Sequence, residues 1–155
     1  MSYVDSLYGR FDLPDWCENL REHPAIRRLL FIKQLGLLAY TAFTGANHTR
    51  FDHSVGAMKL SQDVCKHLAK NTEIKEIAGI IDRYCETVQI AAFLHDVGHG
   101  PFSHVVDEVM RRILNTSHEK MSETIILSQL KDEIEAAGVS PEDVVQLIEG
   151  SHKHP

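Results

Sequence analysis

Ten histidines are a surplus for a chain of 155 residues, and His95, His99, His104 and His118 crowd into one stretch of it. His95-Asp96 closes an apolar run from Val88 to Leu94. A carboxylate at the end of a buried helix is costly unless a partner or a metal compensates it. Side chains of successive helical residues point about 100° apart, but off a helix end both can converge on one ion. An imidazole with a carboxylate suits Mn, Fe, Co, Ni or Zn better than a purely thiolate set would. His53 offers a third ligand, because it follows Arg50 by three residues in a first helical turn and shares its face. A metal held by His53 and the Arg50 guanidinium could then grip adjacent oxygens of one phosphate.

His99, His104 and His118 form a second group, suited to general acid chemistry, to phosphate contacts or to a second metal. Gly98 and Gly100 bracket His99 and allow a sharp turn with close ligand approach. Asp107 lies three residues after His104, where its carboxylate can hold a nearby imidazole. His118-Glu119 stands at a helix start, where the dipole favours a bound anion. His23, His67, His152 and His154 read as background, and His48 is close to the site only in sequence.

Helices must position these groups, since turn signals cut the chain into helix-length segments without sustained alternation. Asp12-Leu13-Pro14 opens a short helix that ends at His23. Pro24 starts the next, with Ile26, Leu29, Leu30 and Lys33 at helical spacing up to Gly36. Leu37 to Gly45 fits either an extended segment or a short helix. Thr49 and Asp52 form a variant capping box for a helix from Phe51 to Asn71. Thr72 begins a helical region towards His95, stopped by Gly98, Gly100 and Pro101. Helices are expected over Ser103 to Leu114 and over Ser117 to Ala137, the latter capped by Thr116 and Glu119. Ser140-Pro141 opens a last short helix closed by Gly150. The class is all-α, in one domain.

Composition excludes several roles. Net charge is −6, with 22 acidic against 16 basic residues. No long basic run occurs, so strong nucleic-acid binding is not expected. No apolar stretch approaches the roughly 20 residues that span a bilayer, so no membrane role is expected. The N-terminus lacks a signal-peptide pattern. Cys17, Cys65 and Cys85 are widely spaced, as in a cytoplasmic protein with reduced thiols.

Together these residues spell motifs: H-x-R-F-x-H at His48–His53, H-D-x-G-H-G-P-F-S-H at His95–His104, and H-E at His118-Glu119. With R-x-x-x-I-K-Q-L-G at Arg28–Gly36 and G-A-x-H before Arg50, the chain resembles the HD-domain metal-dependent phosphohydrolases. The branch it is most similar to is that of the deoxynucleoside triphosphate triphosphohydrolases. The resemblance implies an HD-domain helical bundle and a divalent metal ion (Mn, Fe, Mg, Co, Ni or Zn). It also implies hydrolysis of a nucleotide substrate to the deoxynucleoside and inorganic triphosphate, and homo-oligomers. By the same likeness, His53, His95 and Asp96 are metal ligands, Arg50 contacts substrate phosphates, and Gln34 and Leu35 touch sugar and base. His99, His104 and His118 lie near the α-phosphate, with His118 as general acid, Asp107 as its orienting partner and Glu119 beside it.

The family's fourth ligand is an Asp in a segment like D-x-D-R-x-D-Y, which nothing in this sequence matches, so the chain reads as the N-terminal part of a longer member. D-S-L-Y-G near the N-terminus is only loosely similar to the family's D-P-x-x-G. Two other readings are another HD phosphohydrolase, such as a two-metal nucleotidase or phosphodiesterase, and a regulatory module that binds metal and nucleotide without turnover.

Overall fold

A computed structural model describes residues 2–102 and 104–150, with the side chain of His104 outside that description. Nine helices and one short hairpin make up the described residues. The hairpin pairs β1 (Ser2–Asp5) with β2 (Gly9–Asp12) antiparallel, with Gly9 at a φ of 70°. Its four-residue strands are too short to show as alternation in the sequence.

The opening helices are α1 (Asp15–Glu22) and α2 (Pro24–Arg27), the latter capped by the His23 side chain, which accepts the Ala25 amide. The helix expected to continue past Lys33 instead tightens into a 3-10 turn at Arg28–Phe31 and becomes extended at Ile32. Pairing with the approach to the next helix accounts for this. The Ile32 carbonyl accepts the Arg50 amide at 2.8 Å, and Lys33 bridges to Thr49. The ambiguous segment holds one short helix, α3 (Leu38–Thr41).

Two long helices carry the frame, α4 (Arg50–Asn71) and α5 (Lys75–Leu94), joined by a short turn. The expected capping box is present: Thr49 accepts the Asp52 amide, and Asp52 accepts the Thr49 amide. The apolar faces of the first half of α4 and the last half of α5 meet in the core through Phe51, Val55, Met58, Ile90, Phe93 and Leu94. Phe93 receives Phe51 and Trp16 edge-on, each with a centroid separation of 6.1 Å.

After the His95–Gly100 turn comes α6 (His104–Val109), which runs into a π-helical turn at Met110–Leu114 and stops at Asn115, φ 49°. The cap of α7 (His118–Ser128) is Ser117 rather than Thr116, with the Ser117 side chain accepting the Lys120 amide. The single helix expected through Ala137 breaks at Leu130, and α8 (Lys131–Ala136) follows. The break turns Leu130 and Ile134 into the core, where both are fully buried. Last is α9 (Pro141–Glu149), capped by Ser140 and closed by Gly150 at φ 64°. No helix among the described residues is long and apolar enough to cross a membrane.

Candidate active site

Two helix ends build the site. The first turn of α4 presents Arg50 and His53, and the turn after α5 presents His95, Asp96 and His99. The α4 end is fixed by Asp52, which also accepts the Thr49 hydroxyl at 2.9 Å and the Tyr3 hydroxyl at 3.0 Å. Burial alone would raise the Asp52 carboxyl, but these bonds outweigh it and hold it below the usual carboxylate range.

His53, His95 and Asp96 come together, with one ligand atom from each within 4.8 Å of the others. The two Nε2 atoms are 3.2 Å apart, and Asp96 places Oδ1 3.4 Å from His95 and Oδ2 3.8 Å from His53. His95 Nδ1 lies 2.8 Å from the Ala92 carbonyl, an acceptor only, so the ring proton belongs on Nδ1 and the Nε2 lone pair faces the other donors. Burial, ahead of the charges around it, holds His53 below its ordinary value, which favours the neutral ligating ring. Two imidazole lone pairs and a carboxylate converging on one point fit a divalent cation.

Arg50, 2% exposed, donates from Nη1 to Asp96 Oδ2 at 2.5 Å. The carboxylate thus faces Arg50 and His53 on Oδ2 and His95 and His99 on Oδ1, with His99 Nε2 3.5 Å away. Burial would raise the Asp96 carboxyl, but His95, Arg50, His99 and His53 together hold it below the usual range.

The His99 ring stacks on His118, and His118 Nδ1 lies 3.0 Å from Asp107 Oδ1. Asp107 also accepts the His118 amide at 2.7 Å and Arg111 Nε at 2.9 Å. Those donors overcome burial and drive its carboxyl far below the usual range. Glu119 is half exposed, paired with Arg111 at 3.0 Å and 3.6 Å from His118 Nε2. His104, placed with this group by the sequence, lies with its side chain outside the described residues.

A cavity of about 650 Å³ opens onto these groups. Arg50, His53, Asp96, His99 and His118 line its polar side, and Gln34 and Leu35 line it too. Phe102 of the H-D-x-G-H-G-P-F-S-H string and Leu37, Leu38 and Val105, which no motif announced, supply an apolar wall. Phe102 holds φ 62°, and its backbone lies 3.6 Å from where a side chain on Gly36 would begin.

Sequence reasoning also missed Arg28 and Ser122, which bond to the backbone of the His95–Gly100 turn. Signals for both existed. Arg28 opens the R-x-x-x-I-K-Q-L-G motif, and Ser122 follows His118 by four residues on the same helix face.

Residues 50–155 match the HD domain family. The chain is 33% identical over 153 residues to the deoxynucleoside triphosphate triphosphohydrolase SAMHD1 of Bos taurus, covering 93% of this chain and 25% of the relative. The protein of the same name in Gallus gallus is 34% identical over 155 residues, covering 94% and 25%. A homologue from Dictyostelium discoideum is 28% identical over 158 residues, covering 96% and 29%. The chain thus spans about a quarter of the length of the curated relatives it matches.

Proposed function

The chain belongs to the HD domain family, and on that footing we propose that it is a metal-dependent phosphohydrolase acting on nucleotides, with deoxynucleoside triphosphates as substrates. The observation that carries this reading is the convergence of His53, His95 and Asp96 beside a cavity lined by His53 and Asp96 together with His99 and His118. The likeness to named deoxynucleoside triphosphate triphosphohydrolases supports the substrate class. The hairpin, α1 and α2 share the core of α4 and α5, so we read the described residues as one HD domain.

His53, His95 and Asp96 would hold the ion, which when bound supplies Lewis-acid polarisation of a phosphate oxygen and an acidified water. Arg50 neutralises Asp96 and adds positive potential to the phosphate side of the cavity. His118, oriented by Asp107, is placed to give a proton to the leaving sugar oxygen. His99 holds the His118 ring in plane by stacking. Gln34 offers a polar group to the sugar, and Leu35, Leu37 and Phe102 offer an apolar face to the base. His104 is proposed as a further phosphate contact, and Glu119 as an outer partner of His118.

Metal analysis with product identification on a panel of nucleoside triphosphates tests this. Release of deoxynucleoside and triphosphate is the expected result. Orthophosphate or a monophosphate would reassign the chain to another phosphohydrolase class, and nucleotide binding without product would make it a regulatory module.

A further inference from the structure

A helix C-terminus leaves carbonyls without amide partners, and the turn that carries His95 and Asp96 is such an end. Arg28 takes up two carbonyls of the turn that follows: Nη1 donates to the His99 carbonyl at 2.6 Å and Nη2 donates to the Val97 carbonyl. A planar guanidinium can span two carbonyls as a fork, and its charge sits at the negative end of the α5 dipole. Among the described residues no carboxylate forms an ion pair with Arg28, so these carbonyls are what balance its charge.

Ser122 takes up two more groups from α7. The residue is 1% exposed, and its hydroxyl donates to the His95 carbonyl at 3.3 Å and accepts the Gly98 amide at 2.9 Å. The approach is close because Gly98 has no side chain. A Cβ there would lie 2.1 Å from the His118 carbonyl oxygen and 2.4 Å from the Ser122 amide. Three carbonyls and one amide of residues 95–99 are therefore tied to side chains from two separate segments of the chain.

We propose that Arg28 and Ser122 are positioning residues that hold the His95–His99 turn in the geometry its metal donors require. The proposal rests on the reading of His53, His95 and Asp96 as metal ligands. Neither residue touches the donor atoms; each fixes the backbone from which the donors project. Loss of such outer partners typically costs about 10- to 100-fold in metal affinity. A plain capping role would instead lower stability and leave affinity alone.

Mn(II) titration calorimetry on the metal-stripped full chain separates the two, with the melting temperature of each metal-free variant measured in parallel. Ser122→Ala and Arg28→Met are expected to bind Mn(II) about 10- to 100-fold more weakly. Arg28→Lys, whose ammonium cannot fork across two carbonyls, should lose less. Ile134→Val, at a fully buried position on α8, supplies the control: a lower melting temperature with unchanged affinity. Should Arg28→Met fail to fold, Ser122→Ala and Arg28→Lys carry the comparison. Wild-type affinity in the folded variants overturns the proposal. Absence of Mn(II) binding by the wild type overturns the metal reading itself, and the positioning role with it.

Discussion

The imidazoles of His99 and His118 lie face to face, with centroids 3.9 Å apart and planes inclined by 14°. One ring comes from the turn after α5 and the other from the first turn of α7, so the stack joins the two segments. Each ring also faces its own carboxylate, His99 towards Asp96 and His118 towards Asp107.

His118→Phe keeps an aromatic face for His99 but removes the transferable proton, whereas His118→Ala removes both. Under the proposed mechanism both variants lose about 10²- to 10⁴-fold in turnover while keeping wild-type metal content. Steady-state kinetics with metal analysis checks this, and near-normal turnover in His118→Phe would remove the general-acid role.

His95→Ala and Asp96→Ala should both empty the metal site yet differ in stability. The His95 side chain is one-third exposed, so its loss costs little in the metal-free protein. Asp96→Ala removes the charge partner of the buried Arg50 guanidinium, at a cost of about 3–5 kcal/mol. Urea unfolding of the metal-free proteins measures the gap, and equal losses would refute the Arg50–Asp96 pairing.

Gly98→Ala has no room at the His118 carbonyl, so α7 must move away from the turn. Such overpacking costs typically about 1–3 kcal/mol, and the displacement should also reduce metal uptake. A variant with wild-type melting temperature and metal content would contradict the close approach.

Asp107→Asn tests the carboxylate that holds His118. The folded-state value of Asp107 lies below that of an unfolded aspartate, so its contribution is present above about pH 4 and fades as pH falls further. The melting-temperature difference between wild type and Asp107→Asn should therefore be widest near neutrality and shrink in acid. A difference independent of pH would mean that the charge contributes nothing.

The helix frame and the heart of the site were legible because their signals are local. The Thr49–Asp52 capping box lies within one turn, and the H-D-x-G-H string places its own donors. What escaped depended on contacts between distant segments. Ile32 leaves the helix only because the Arg50 amide needs its carbonyl, and the chain breaks at Leu130 only because the core takes that side chain. The hairpin escaped because four-residue strands carry too little pattern, although its Tyr3 reaches Asp52. Arg28 stood inside a quoted motif, but nothing near it named the carbonyls it serves.

The bonds around the turn join residues far apart along the chain: Arg28 and His99 by 71 positions, Arg50 and Asp96 by 46. Closing loops of that size costs entropy before any contact forms, whereas the α4–α5 hairpin assembles from near neighbours. Assembly of the site is therefore expected to follow formation of the α4–α5 hairpin. During synthesis a nascent chain ending before Ser122 would already carry His53, His95 and Asp96, yet would lack the α7 half of the clamp that holds them in register.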